Sequence, residues 1–190
     1  MNSDKKKAML SFLETIQHAP HIAVDTESDP EVDLFLGFSI AYQRLGMYFP
    51  VGHLQDGVNI DDEVFDTAMK VIDNAPLRVF QHAGHDLSQF QHKLGHILHD
   101  KRFVCTMTMA HMINENTVNK SLDSLHRKYV KNGQGKFKNK VMEDITQKLG
   151  WRYVPVMLME QYASQDAIIT SELYTALEPL YKEQFGEMFS

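Results

Sequence analysis

His21-Ile-Ala-Val-Asp-Thr-Glu27 decides the fold. Alternation with a period of two puts Ile22 and Val24 on one face of a strand and Ala23, Asp25 and Glu27 on the other. Two carboxylates therefore leave one strand side by side. Carboxylates in that position repel and raise each other's pKa, a cost that a bound divalent cation would reverse and that folding alone does not explain. For the pair taken alone, a solvated strand end is the competing reading.

Outward from this strand the chain is regular. Residues 5–17 read as a short amphipathic helix through Met9, Leu13 and Ile16. Strands are expected at 21–26, 34–42 and 47–50, followed by a helix at 61–74 and a strand at 77–80. After Asp86 come a helix to about residue 94, a strand near Phe103, helices at 106–114, 122–130 and 141–149, and a long helix from Pro155 to Leu177. A meander of strands that gives way to strands alternating with helices implies an α/β fold, a mixed sheet flanked by helices.

The last helix carries an acid where apolar residues belong. Leu158, Tyr162, Ile169, Leu173 and Leu177 recur at steps of three or four, and Asp166 lies on the same stripe. An ionised carboxylate facing a core costs several kcal/mol unless it is paired, hydrogen-bonded or metal-bound. Tyr162, one turn earlier, projects from the same face and can reach whatever Asp166 holds. Asp86, in Gly84-His85-Asp86-Leu87-Ser88-Gln89, has an alternative local reading as a helix N-cap with a capping-box Gln89.

Taken together, four blocks carry a family resemblance. Val24-Asp25-Thr-Glu27-Ser-Asp29, Met47-Tyr-Phe-Pro-Val-Gly-His53, Val79-Phe-Gln-His-Ala-Gly-His-Asp86 and Tyr162-Ala-Ser-Gln-Asp166-Ala resemble, in order and spacing, the proofreading exonuclease domain of family A DNA polymerases. That domain belongs to the DnaQ-like (DEDD) 3′-5′ exonucleases, and Tyr162 four residues before Asp166 is similar to the tyrosine subgroup. The resemblance covers about residues 20–182 and implies an RNase H-like mixed five-stranded sheet flanked by helices.

The resemblance also implies roles. Asp25, Glu27, Asp86 and Asp166 would be the metal ligands, and Tyr162 would position the attacking water. Hard carboxylate oxygens suit Mg2+ or Mn2+, and two such ions about 3.5–4 Å apart can stabilise both the attacking and the leaving oxygen of an in-line displacement. A phenol with a reference pKa of about 10 is a poor general base at neutral pH, so orientation is the role for Tyr162. Thr26, Ser28 and His82 are expected to contact nucleic acid. His82 stands where the family usually has asparagine, which puts a bulkier, titratable group at that contact. Cys105 stands where the polymerase domains commonly carry aspartate, and no catalytic meaning attaches to it.

Composition bounds the rest. The 190 residues, 43% hydrophobic, suffice for one globular domain with a full core: a single exonuclease domain over 1–190, with an N-terminal helix in 1–19 and the family core in 20–182. One cysteine excludes an intramolecular disulfide, and Met1 is followed by Asn-Ser-Asp-Lys-Lys-Lys rather than an apolar signal core. No segment approaches the roughly 20 apolar residues that cross a bilayer. A cytoplasmic monomer in a reducing compartment, with no membrane partner, is expected.

A net charge of −6 disfavours binding a polyanion unless positive charge is supplied locally. Seven basic residues stand against one acid between Lys120 and Lys140, centred on Lys131-Asn-Gly-Gln-Gly-Lys-Phe-Lys-Asn-Lys140. That glycine-bearing stretch is expected to be a mobile loop in which Lys131, Lys136 and Lys138 clamp the nucleic-acid backbone, a merely solvated loop being the alternative. His92 and His96 stand at a helical i, i+4 spacing able to hold zinc, with His85 and His99 nearby. Gly95 weakens a helix there and no glutamate lies between the two, so a polar surface is preferred.

The expected activity is metal-dependent 3′-5′ exonuclease action on single-stranded or frayed DNA, releasing nucleoside 5′-monophosphates, with proofreading beside a DNA polymerase as one setting. An RNA exonuclease resembling RNase D is the alternative within enzymes. A non-catalytic nucleic-acid-binding or polymerase-docking module is the alternative outside them.

Overall fold

A computed structural model of the chain describes residues 1–98 and 101–187. Helix α1 (Ser3–Ile16) opens on Asn2, whose side chain accepts the N–H groups of Asp4 at 2.8 Å and Lys5 at 3.0 Å. Three strands follow, β1 (Ile22–Asp29), β2 (Leu34–Tyr42) and β3 (Leu45–Pro50), then α2 (Asp62–Asn74), capped by Asp61. Strand β4 (Arg78–Phe80) leads into α3 (Ala83–Leu94), and β5 (Phe103–Cys105) into α4 (Thr106–Ile113). Helices α5 (Leu122–Tyr129) and α6 (Lys140–Lys148), a 3-10 turn (Trp151–Tyr153) and α7 (Val156–Phe185) complete the described chain.

The strands form one five-stranded sheet in the order β3-β2-β1-β4-β5. The first three pair antiparallel as a meander; β4 and β5 join β1's other edge in parallel. This is the expected RNase H-like mixed sheet, with helices on both faces.

Alternation along β1 assigns its side chains to two cores. Ile22 and Val24 pack with Leu13, Phe38, Phe49, Phe80 and Phe90 under α1, α2 and α3. Ala23 packs on the other face with Leu125, Ala167, Leu173 and Leu177 from α5 and α7. Asp25 and Glu27 continue the Ala23 face, where Asp25 lies opposite Ser39 and Glu27 opposite Gly37. The register shifts between Glu27 and Ser28, so the alternation that places the two acids ends just after them.

Two local expectations are corrected, the start of α3 and the end of α7, and the alternative of zinc on a His92/His96 helix face falls away. Asp86 is not an N-cap: α3 begins at Ala83 behind His82, which puts Asp86 in the first helical turn. Helix α7 runs to Phe185 rather than ending at Leu177. His92 and His96 do not share a helix face, because α3 ends at Leu94 and Gly95 turns left-handed with φ 65°. His96 instead meets Asp73 through Nε2 at 3.1 Å, and His99 lies outside the described residues. No helix among the described residues is long and apolar enough to cross a membrane.

Candidate active site

The acids converge where β1 meets α7. Helix α7 presents Ala163 and Ala167 on either side of Asp166, all three buried, and these small side chains let the helix lie close to the strands. One carboxylate oxygen each from Asp25, Glu27 and Asp166 lies within 4.8 Å of the others. Asp86 comes to the same strand end from α3. Its Oδ1 accepts the Thr26 hydroxyl at 2.7 Å and the Thr26 N–H at 3.1 Å, so β1 itself orients the fourth acid. Asp86 stands outside the mutual 4.8 Å set, yet its charge is felt by Asp25.

Tyr162 lies one turn before Asp166, as the spacing predicts, with Trp151 of the 3-10 turn against its ring at 5.5 Å. That turn is tied to β1 by Arg152. Its N–H and guanidinium donate to the buried Asp29 at 2.9 and 2.8 Å. Lys136 brings a cation into the site. Its ammonium donates to Tyr162 Oη at 2.9 Å, sits over the Tyr162 ring and pairs with Asp166 Oδ2.

Every carboxyl of the group is pushed up. Burial raises Asp25 well above the ordinary carboxylate range, reinforced by Glu27, Asp86 and Asp166 and opposed by Lys136. Glu27 rises to about 8, through burial and then Asp166. Burial takes Asp86 to about 7 against the lowering effect of its bonds from Thr26, and raises Asp166 against Lys136. Burial also raises the Tyr162 hydroxyl, with Glu27 and Asp166 adding to it.

These residues fit divalent cations. The donor set is all hard oxygen, and the clustered charge is what such ions compensate. Asp166 Oδ1, moreover, is buried without a hydrogen-bond partner among the described residues. An orphaned buried oxygen of this kind costs free energy that a coordinating ion would recover.

The remaining expected contacts scatter. Ser28 is half-buried just past the register shift, and His82 is exposed at the start of α3, its ring 6.1 Å from that of His85. Thr26 is buried, with its hydroxyl committed to Asp86. Lys131 and Lys138 are exposed, unlike Lys136. Reasoning from sequence did not single out Trp151, Arg152, or Asp123 and His126, which hold the Lys136 loop. Only Asp29 had a signal, as an acid in the same block as Asp25 and Glu27.

The family model for the 3′-5′ exonuclease domain of the DNA polymerase A type matches residues 1–182. No curated protein matches by sequence. Among solved structures, the Aedes aegypti Nibbler EXO domain is 19% identical with a TM-score of 0.66, over 96% of this chain and 87% of that one. Trypanosoma brucei RNase D is 14% identical, TM-score 0.68, over 93% of this chain and 62% of that one. Brucella melitensis NrnC is 15% identical, TM-score 0.67, over 90% and 77%. At these identities the likeness is one of fold.

Proposed function

The chain belongs to the 3′-5′ exonuclease family, and from that premise we propose that Asp25, Glu27, Asp86 and Asp166 hold two divalent cations, Mg2+ or Mn2+, and that the protein trims 3′ ends of single-stranded or frayed DNA. The observation that carries this reading is the convergence of three acids from β1 and α7 within 4.8 Å, one of them with an orphaned buried oxygen.

Bound, the two cations would activate a water and neutralise charge on the leaving oxygen. The chain's own groups orient the reaction. Lys136 donates to Tyr162 Oη, so the phenol keeps its own proton to donate to the water oxygen. The raised pKa keeps that phenol neutral at neutral pH, which suits orientation and not proton abstraction. The water oxygen bonds to the terminal phosphorus as the bond from phosphorus to the preceding 3′ oxygen breaks. The products are a nucleoside 5′-monophosphate and a shortened strand whose 3′ oxygen gains a proton. Thr26 orients Asp86 throughout, and Trp151 supports the Tyr162 ring. His82, Ser28, Lys131 and Lys138 are available to the substrate strand. In proofreading, a DNA polymerase would supply the frayed end.

An RNA 3′ end is the alternative substrate, supported by the fold shared with RNase D. Digestion of matched 5′-labelled DNA and RNA oligonucleotides with Mn2+ or Mg2+, beside an Asp25→Ala/Glu27→Ala control, decides between them. A ladder shortening from the 3′ end on DNA and absent in the control is the expected result. A ladder on RNA alone moves the substrate to RNA, and no metal-dependent cleavage of either leaves a binding module.

A further inference from the structure

The loop between α5 and α6 is anchored rather than mobile at its centre. The Gly135 N–H donates to Nδ1 of the buried His126 at 3.1 Å. Accepting there leaves the His126 proton on Nε2, which donates to Glu172 Oε2 of α7 at 2.9 Å. The next N–H, that of Lys136, donates to Asp123 Oδ1 at 3.0 Å, and Arg127 holds the same carboxylate at 3.1 and 3.3 Å. Gly135 has φ 79°, and a Cβ there would fall 2.0 Å from Asp123 Oδ1, so only glycine allows this approach. Two consecutive backbone donors are thus fixed immediately before the Lys136 side chain. Neighbouring Lys131 and Lys138 stay exposed, whereas the Lys136 ammonium lies between Asp166 and Tyr162.

A clamp on a nucleic-acid backbone needs its charge in solvent, where phosphates pass. A cation anchored among carboxylates serves another purpose. It adds to the repulsion that an incoming metal ion meets, so the chain gives up metal affinity to keep it. What a fixed ammonium offers in return is stabilisation of negative charge at the reacting phosphate, in a site where water is scarce and the donor is preorganised. We infer that Lys136 is a catalytic residue, a protein-borne cation that contacts the scissile phosphate beside Tyr162, and that His126 and Asp123 are the positioning residues that present it. This rests on the nuclease reading above.

The inference has a signature of opposite signs. In Lys136→Met, kcat should fall on the order of a hundredfold with KM nearly unchanged, while Mn2+, titrated against the substrate-free protein, should bind more tightly than to wild type. Lys136→Arg, which restores a cation, should recover part of kcat. Lys131→Met and Lys138→Met should instead raise KM and flatten its salt dependence. His126→Asn, whose amide oxygen can replace the Nδ1 acceptor, should retain more kcat than His126→Leu.

A raised KM with intact kcat in Lys136→Met would return Lys136 to the backbone clamp. Mn2+ binding unchanged or weakened by that substitution would also overturn the inference, and this titration decides it even where no cleavage is seen. Equal kcat in the two His126 variants would remove the positioning role. Wild-type protein that binds Mn2+ but cuts neither DNA nor RNA contradicts the nuclease reading, a failure separate from any change in the Lys136→Met titration.

Discussion

Asp166 faces the interior of the protein on a helix otherwise made to pack, and one of its two oxygens has no partner among the described residues. Tyr162, on the same face, gives the sharpest test of roles at this scale. In Tyr162→Phe the ring still packs on Trp151 and the four acids are untouched, but the donor to water is lost. Cleavage should slow on the order of tenfold or more while the Mn2+ isotherm stays as in wild type; parallel loss of metal binding would contradict an orienting role. Asp166 and Tyr162 were legible because helical periodicity alone puts an acid and a phenol where apolar groups belong. Lys136 was legible only as one lysine among several. Its place depends on His126 and Asp123, ten and thirteen residues earlier in the chain, and on Glu172 of α7. No local pattern encodes that anchoring.

Between elements, the distance between strands sets the site. Gly37 of β2 lies opposite Glu27, and a Cβ on it would fall 2.4 Å from the Phe49 carbonyl oxygen and 2.5 Å from Tyr48 Oη. Gly37→Ala should therefore push β2 and β3 apart and destabilise the chain by about 1–3 kcal/mol, measured as a lower denaturant midpoint; an unchanged midpoint would show that the strands have room. The meander and the helices after it followed from the strand pattern and helical periodicity, and the mixed five-stranded sheet agrees with the expectation. The start of α3 did not follow, because Asp86 and Gln89 form a good capping signal locally. What prevails is tertiary: β1 offers Asp86 two donors from Thr26, and the helix begins earlier, at Ala83, without a side-chain cap. The extension of α7 beyond Leu177 escaped for a related reason, since Pro179 looks like a helix end yet lies inside the helix.

At the scale of the whole molecule, the acids couple stability to pH. Glu27 and Asp86 hold their protons up to about 8 and about 7 in the folded, metal-free chain, whereas unfolded carboxyls release theirs near about 4. Over that interval the folded state binds more protons, so metal-free stability should decline as pH rises from about 4 to about 8. Asp29 acts in the opposite direction. Burial opposes its charge, but the bonds from Arg152 prevail and hold its pKa below the ordinary range, so that contribution is lost only as pH falls through it. Thermal unfolding across pH with a chelator present, then with Mn2+, measures both effects. Mn2+ should abolish this decline, because it binds the deprotonated acids; a decline that persists with Mn2+ would place the raised acids away from the metals.

The claim on which the account turns is that these acids form a two-metal cage, and a calorimetric Mn2+ titration at pH 7 in buffers of different ionisation enthalpy tests it most directly. A two-metal cage gives two ions per chain, net proton release as Glu27 and Asp86 give up their protons, and loss of binding in Asp25→Ala and Asp166→Ala. Binding that survives both substitutions, or that releases no protons, would contradict it.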